Sequence, residues 1–462
     1  MEGTCLIQEP QKKKKLNEEE DINEKSKCLG DLPEEVLRHI LSFLPTKDAV
    51  RTSVLSKSWE YRWASIPNLD FCRELLKLSS PAKRRLLMNF VERVLCLRGS
   101  YAIKRFNLSC DVLRDASRVN TWISAAVRHN VQELDISLDN FKGEFFLPYC
   151  LFTCKTLTSL HLYMPIILKL PTAICFSNLK TLTIESVTFS DEYLIEQLFY
   201  GMPVLEKLCL HDCSWGSLKV VHLSVPKLHS LRISEFERPN SSYGDGCQIM
   251  IFAFGLKEFN YTGELFSDYC LYKSFSLEKA EISMISYDTS AQIAHRVCKL
   301  LTGLSNVKLL LLSDEVVEAL RNAGERLSHL PMFNNLTDLV FFEDWAIDLG
   351  CVGLLRILQN SPCLKTMKFF EGIRLWENDD WMLDPLPPCF LSHLKWIEVC
   401  DFDGESEELS AIKILLKNAI VLDEIVIFCS ERLAGNLEKQ ENLYKQLIEI
   451  PKGSQNCKIV LQ

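Results

Sequence analysis

The residues best suited by type to metal or covalent chemistry are in "LEKLCLHDC", where Cys209, His211 and Cys213 alternate with other residues. A structural zinc site needs four thiolate or imidazole ligands converging on one point, usually as two close pairs. The chain holds nineteen cysteines, but no two C-x2-C pairs occur at zinc-finger spacing. In an extended strand, residues two apart share a face, so Cys209 and His211 point outward together. Cys213 falls at the turn that follows this strand, so the three side chains need not converge. No G-x-x-x-x-G-K-[ST] loop is present to cradle a phosphate, and no G-x-S-x-G nucleophile elbow. Asp379 and Asp380 are adjacent acids, but "WENDDWMLDP" has the composition of a solvated loop. These residues give no catalytic or metal site. A stand-alone enzyme is therefore the weakest functional class, and no cofactor is expected.

The whole-chain composition narrows the field further. Of 462 residues, 47% are hydrophobic and 24% charged, with a net charge of −9. That is an ordinary soluble composition, and the length suits about two to four folded units or one long repeat array. Acids and bases are mixed along the chain without a basic stripe, so no nucleic-acid footprint stands out. The run Lys12 to Lys15 reads as part of a solvated tail. No window of about 18 apolar residues suggests a membrane span. The N-terminus lacks the ordered regions of a secretory signal. The cysteines are accordingly expected to be thiols in a reducing compartment, the nucleus or cytoplasm. Cys96, Cys298 and Cys363 lie in apolar runs, where cysteine behaves as a small hydrophobe.

The elements that could position a functional surface begin at "DLPEEVLRHILSFLPTKDAVRTSVLSKSWEYRW". Asp31 can cap a helix, Pro33 suits its first turn, and Glu34 and Glu35 favour the positive end of its dipole. Val36, Leu37, Ile40, Leu41 and Leu44 recur at helical spacing as one broad apolar stripe. Pro45 stops that helix and Thr46 can cap the next, whose apolar positions are Ala49, Val50, Val54 and Leu55. Ser56 can cap a third, with Trp59 and Trp63 four residues apart on one face. Three short helices are marginal as an isolated domain. Their surplus apolar surface must meet the rest of the chain or another protein.

This string resembles an F-box in the form common in plant proteins. The Leu-Pro opening, the "ILSFLPTKDAV" centre, the "SVLSKSW" turn and the final tryptophan occur in order over about residues 30 to 68. The resemblance implies a docking module for the Skp adaptor of a cullin-based ubiquitin ligase. It places Leu32, Pro33, Ile40, Leu41, Leu44, Val50, Leu55 and Trp59 toward the adaptor. Leu37 and Val54 are suited instead to holding the helices together.

From about residue 130 a second pattern recurs: "VQELDI", "LTSLHL", "LKTLTI", "LEKLCL", "LHSLRI", "LKEFNY", "LEKAEI", "VKLLLL", "LTDLVF", "LKTMKF", "LKWIEV" and "LDEIVI". Successive copies start roughly 21 to 30 residues apart, in the range of leucine-rich repeats. Each copy cannot bury its own apolar edge and needs neighbours on both sides, which predicts a β/α solenoid. Its strands should point Leu182 and Ile184 inward, and Thr181, Thr183 and Glu185 outward. The stretch "PAKRRLLMNFVERVLCLR" is predicted as an amphipathic helix capping the open N-terminal end. "SEFERPNSSYGDGCQ" reads as an exposed loop.

The outward positions change character along the array. In the first half they are polar: Glu133, Asp135, Ser159, His161, Thr181, Thr183, Lys207 and Arg232. In the second half they become apolar: Leu309, Leu311, Val340, Phe342, Phe370, Trp396, Val426 and Phe428. An apolar patch of that extent marks a candidate protein-binding site, unless loops cover it or a one-residue slip exchanges the faces.

The C-terminal "LPPCFLSHLKWIEVCDFDGESEELSAIKILLKNAIVLDEIVIF" resembles the FBD region of many plant F-box proteins. Physically it predicts a strand, a turn at Asp403-Gly404, a helix over about 405 to 418, and another strand. The expected fold class is α/β: a three-helix F-box, an irregular leucine-rich-repeat solenoid and an FBD-like cap. The expected divisions are a charged tail (1–27), the F-box (28–68), a helical linker capping the repeats (69–130), the repeats (131–384) and the FBD-like region (385–462). This layout implies a non-catalytic substrate-recognition subunit that binds a Skp adaptor and, through it, cullin. The repeats would hold a protein target, with neither nucleic acid nor membrane as a partner. The rival readings are a scaffold that binds the adaptor without cullin, and a small-molecule sensor. No basic pocket for a phosphorylated ligand is visible in the sequence to favour the sensor.

Overall fold

In "TLTIE" the apolar and polar residues alternate, and burial follows the alternation. Leu182 and Ile184 are 1% exposed, while Thr181, Thr183 and Glu185 are half-buried on the other face. The computed structural model describes residues 32–72, 81–111, 116–139, 144–236, 246–285, 290–342, 345–376 and 383–462. Within them the same alternation builds one 15-stranded sheet, ordered along the chain from Asn68–Phe71 to Lys458–Leu461. Every neighbouring pair is parallel, so each connection must cross back over one face of the sheet. Those crossovers carry helices such as Glu192–Tyr200, Ala291–Thr302 and Val352–Gln359. They also carry short parallel strands, among them Val220–Ser224, Gln248–Phe252 and Asp268–Tyr272. The core lies between sheet and crossovers, and the opposite face of the sheet is open.

The sheet begins well before residue 131. Asn68–Phe71 and Arg105–Asp111 are its first two strands, with Leu69, Phe71, Phe106 and Leu108 buried. The stretch 69–130 is therefore not only a helical linker. It contributes these strands together with helices Pro81–Leu97 and Ala116–Arg128. Both carry the apolar spacing of the later copies, Ile66-x-x-Leu69-x-Phe71 and Ile103-x-x-Phe106-x-Leu108, so the array extends back to residue 66 in the sequence as well. The predicted amphipathic helix is present as Pro81–Leu97, burying Leu87, Val91 and Val94. Cys96, expected to pack as a small hydrophobe, is exposed on it, whereas Cys298 is buried. The described cysteines are free thiols.

The F-box segment forms helices Glu34–Ser42 and Thr46–Arg51. The second helix stops at Arg51 and continues as the 3-10 turn Thr52–Val54, and the expected third helix is instead two short 3-10 turns, Lys57–Trp59 and Arg62–Ser65. Trp59 and Trp63, one in each of these two turns, are both buried, at 6% and 4% exposure. Capping also differs from expectation. Pro33 and Pro45 hold the N-cap positions without side-chain bonds, while Ser56 Oγ lies 2.7 Å from Ser58 Oγ and caps nothing. Asp31 lies outside the described residues, as do Lys12 to Lys15, Asp379 and Asp380. Thr46 is buried, and its Oγ1 accepts a 2.7 Å hydrogen bond from Asp70 N in the first strand of the sheet.

The C-terminal region follows its predicted order. Strand Trp396–Phe402 leads through Gly404, at φ 75°, into helix Ser406–Asn418 and strand Glu424–Cys429. Glu405 and Glu408 close a reciprocal capping box. Helix Leu437–Glu449 then packs Leu443 so close to Gly404 that an added Cβ would lie 2.4 Å from Leu443 Cδ1. Only glycine suits that turn on both counts.

Candidate interaction surfaces

The F-box core is built from Leu37 and Leu41, one helical turn apart, closing on Ala49, Trp59, Trp63 and Ala64. Trp63 Nε1 donates to Glu60 O at 3.0 Å, and the Arg62 guanidinium lies over the Trp59 ring at 5.2 Å. With that core satisfied, a set of apolar side chains remains outside it. Val54 is 84% exposed, Phe43 73%, Leu55 64%, Val36 42%, Leu32 38% and Leu44 37%.

The residues expected to face an adaptor therefore separate. Leu32, Pro33, Leu44 and Leu55 are exposed, and Ile40 and Val50 are half-buried. Leu41 and Trp59 are corrected to core positions, at 1% and 6% exposure, because the turn carrying Trp59 packs against the 3-10 turns on either side of it. Leu37 holds the helices together as expected, but Val54 does not: it ends a 3-10 turn and points to solvent. Phe43 was missed because it lies off the apolar stripe, at the C-cap.

This module is joined to the sheet by more than the chain. Besides the Thr46 bond, Arg98 is wholly buried behind the module. Its Nη2 donates to Ile66 O and, at 2.8 Å, to Ala102 O, while Nε donates to Tyr101 O at 3.3 Å. Burial lowers its pKa to about 10, which still leaves the guanidinium charged at neutral pH.

On the open face of the sheet the strands are in continuous register. Asp135, His161, Thr183, Cys209 and Arg232 form one row across five strands. His161 sits between acids, with Nδ1 at 2.9 Å from Asp135 Oδ1 and Nε2 at 3.3 Å from Glu185 Oε1. The Asp135 hydrogen bond raises the imidazole pKa, outweighing the opposing effect of its partial burial. Cys209 and His211 share this face, and His211 Nδ1 lies 3.0 Å from Ser234 Oγ. Cys213 instead packs against the core, with Sγ donating to Ile184 O at 3.4 Å, and burial pushes its thiol up to about 12. The three do not converge.

Farther along, the same row reads Leu311, Val340, Lys368, Glu398 and Val426. No slip of register exchanges the faces here: Leu310, Leu339, Met367 and Ile397 all point inward. The apolar stripe is nevertheless not continuous. Asp338 and Thr366 stand between Leu309 and Trp396, and Lys368 pairs with Glu398 at 2.8 Å. On this face Leu309, Leu311 and Phe342 are half-buried and Phe370 is 44% exposed. Trp396 and Phe428 lie beyond the ion pair. Val340 and Val426 are buried, at 6% and 5% exposure.

Two further groups were not legible in the sequence. Glu235 is buried and accepts from Tyr261 Oη (2.7 Å), Tyr269 Oη (2.6 Å) and Phe266 N (3.1 Å). Burial raises its carboxyl pKa despite these donors. On the crossover side, Glu192 and Glu196 lie one turn apart on helix Glu192–Tyr200, facing His222 of an adjacent strand. Their ligand atoms fall within 4.8 Å of one another, and His222 Nδ1 lies 2.7 Å from Glu196 Oε1. A partly exposed imidazole–carboxylate pair accounts for that arrangement.

Comparison with known proteins places names on these units. The F-box domain family model matches residues 29–71, so it takes in the first strand of the sheet. The model described as "FBD-associated F-box protein At5g56370, LRR repeats" matches 119–242, and FBD matches 384–427. The Arabidopsis thaliana F-box/LRR-repeat protein At4g14103 is 32% identical, over 76% of this chain and 93% of its own length. From the same organism, F-box/LRR-repeat protein At3g59200 is 31% identical (93% of this chain, 87% of its own). F-box/FBD/LRR-repeat protein At5g56420 is 27% identical (94% and 98%). The chain belongs to the F-box/FBD/LRR-repeat family.

Proposed function

We propose that this protein is a non-catalytic substrate-recognition subunit of a Skp-cullin-F-box ubiquitin ligase, acting in the nucleus or cytoplasm. The observation that carries the reading is the F-box module itself. Its core is closed by Leu37, Leu41, Trp59 and Trp63, yet Leu32, Leu44, Val54 and Leu55 stay exposed beside it. Such a patch on a small helical unit fits a docking surface. The Thr46–Asp70 and Arg98–Ile66 contacts tie the module to the sheet edge, so a bound adaptor would stand at a defined distance from the open face. A target held on that face would be presented to the ligase by effective concentration, with other subunits supplying the chemistry. The apolar side chains of Leu309, Leu311, Phe342 and Phe370 on that face support the C-terminal half as the target site. No helix among the described residues is long and apolar enough to cross a membrane.

Co-purification of the full chain with a plant Skp adaptor and cullin tests this reading. Recovery of both, lost together in a Leu32→Ala, Pro33→Ala variant that stays folded, is the expected result. Recovery of the adaptor without cullin would favour the scaffold reading. Because the F-box residues also buttress the first strand of the sheet, point substitutions are cleaner than deleting residues 28–68.

A further inference from the structure

We propose that a pocket in the crossover layer, away from the open sheet face, binds a small organic anion through Arg326. The pocket has a volume of about 440 Å³, within the roughly 300–1,000 Å³ typical of small-molecule sites. One wall is helix Ala291–Thr302, where His295, Cys298, Lys299 and Thr302 recur at i, i+3, i+4 and i+7 along one stripe. The other is the 3-10 segment Gly324–His329, whose period of about three residues puts Arg326 and His329 on the same side.

The lining is one-sided in charge. It contains a lysine, an arginine and two imidazoles, and no carboxylate. Burial pushes the Cys298 thiol up to about 11, so at neutral pH it adds no negative charge. Lys299 is already committed, with Nζ 2.6 Å from Asp268 Oδ2. Arg326 is exposed, and its side chain makes no hydrogen bond or ion pair among the described residues. Its planar fork is the free group best shaped to grip a phosphate or carboxylate at two points. His295 and His329 line the same pocket, and the Cys298 side chain and Lys299 methylenes offer apolar surface to the remainder of a ligand. That pairing of a single free guanidinium with an apolar floor selects an anion carrying a compact apolar body over a bare inorganic ion. The sequence did not show this pocket because its two walls belong to consecutive crossovers.

Isothermal titration of the purified full chain with phenyl phosphate and benzoate is the direct test, with inorganic phosphate and phenol as controls. Saturable one-to-one binding of at least one organic anion is expected, at least about tenfold tighter than inorganic phosphate or phenol. Arg326→Glu should weaken it by about tenfold or more and His329→Ala by less, with unchanged circular dichroism. Absence of saturable binding up to about 10 mM of either organic anion would overturn the proposal. So would affinity untouched by Arg326→Glu in a folded variant, or controls that bind as well as the organic anions. The adaptor reading does not depend on this pocket, and failure here would leave it standing.

Discussion

The F-box end and the solenoid are both rich in aliphatic side chains, but they treat them oppositely. In the solenoid Leu208 is 1% exposed because Leu182 and Leu231, its register partners, flank it on both sides. In the F-box Val54, Phe43 and Leu55 keep 84%, 73% and 64% of their surface in water. A repeat supplies neighbours in two directions, whereas a terminal module has the sheet edge on one side only. An apolar residue in the solenoid is accordingly a stability residue. One on the outer side of the F-box is free for association.

The largest expected effect breaks the solenoid side of this contrast. Leu208→Ala should cost about 2–5 kcal/mol, read as a lower midpoint in thermal or urea unfolding. A change no larger than a surface substitution would mean that the repeats do not share one core. On the other side, Val54→Glu with Leu55→Glu should weaken adaptor binding about 100-fold, close to 3 kcal/mol. The unfolding midpoint should move by no more than about 0.5 kcal/mol per site. Unfolding of the chain by this pair would assign those residues to an internal cap instead.

Smaller effects sharpen the comparison within the sheet. Phe342→Lys and Phe370→Lys should reduce capture of a natural target about tenfold while adaptor binding stays intact. Capture surviving both would remove this patch as the recognition surface. The smallest effect concerns buried charge. The folded-state pKa of Glu235 is raised above its unfolded value, so its contribution to stability is fully present below the unfolded carboxyl pKa and lost as pH rises through the folded one. Glu235→Gln should remove that part of the pH dependence, with Tyr269 turning its hydroxyl to accept. Urea unfolding followed from acid to neutral pH checks the sign.

Much of this was legible because local pattern and tertiary environment agree. The alternation of "TLTIE" and its relatives requires a half-buried strand whatever surrounds it, and the strand–turn–helix–strand order at 396–429 followed from Gly404 and the flanking periodicities. The reading failed where one residue has two possible destinations. Val54 and Trp59 belong equally to a helical stripe on paper, and the 3-10 turns send one to solvent and the other inward. Thr46 has the side chain of a helix cap and serves the first strand of the sheet instead.

The sequence by itself determined the family resemblance, the solenoid and which side chains of each repeat strand point inward. These rest on periodicity, which short-range sterics and the two-residue repeat of a strand convert directly into faces. Tertiary structure decided which F-box side chains remain open, how Lys368 pairs with Glu398 among the apolar positions, and that Arg326 and His295 line one pocket. Each of these depends on residues distant in sequence meeting at one place, and burial, pairing and pKa are properties of that meeting rather than of the residue.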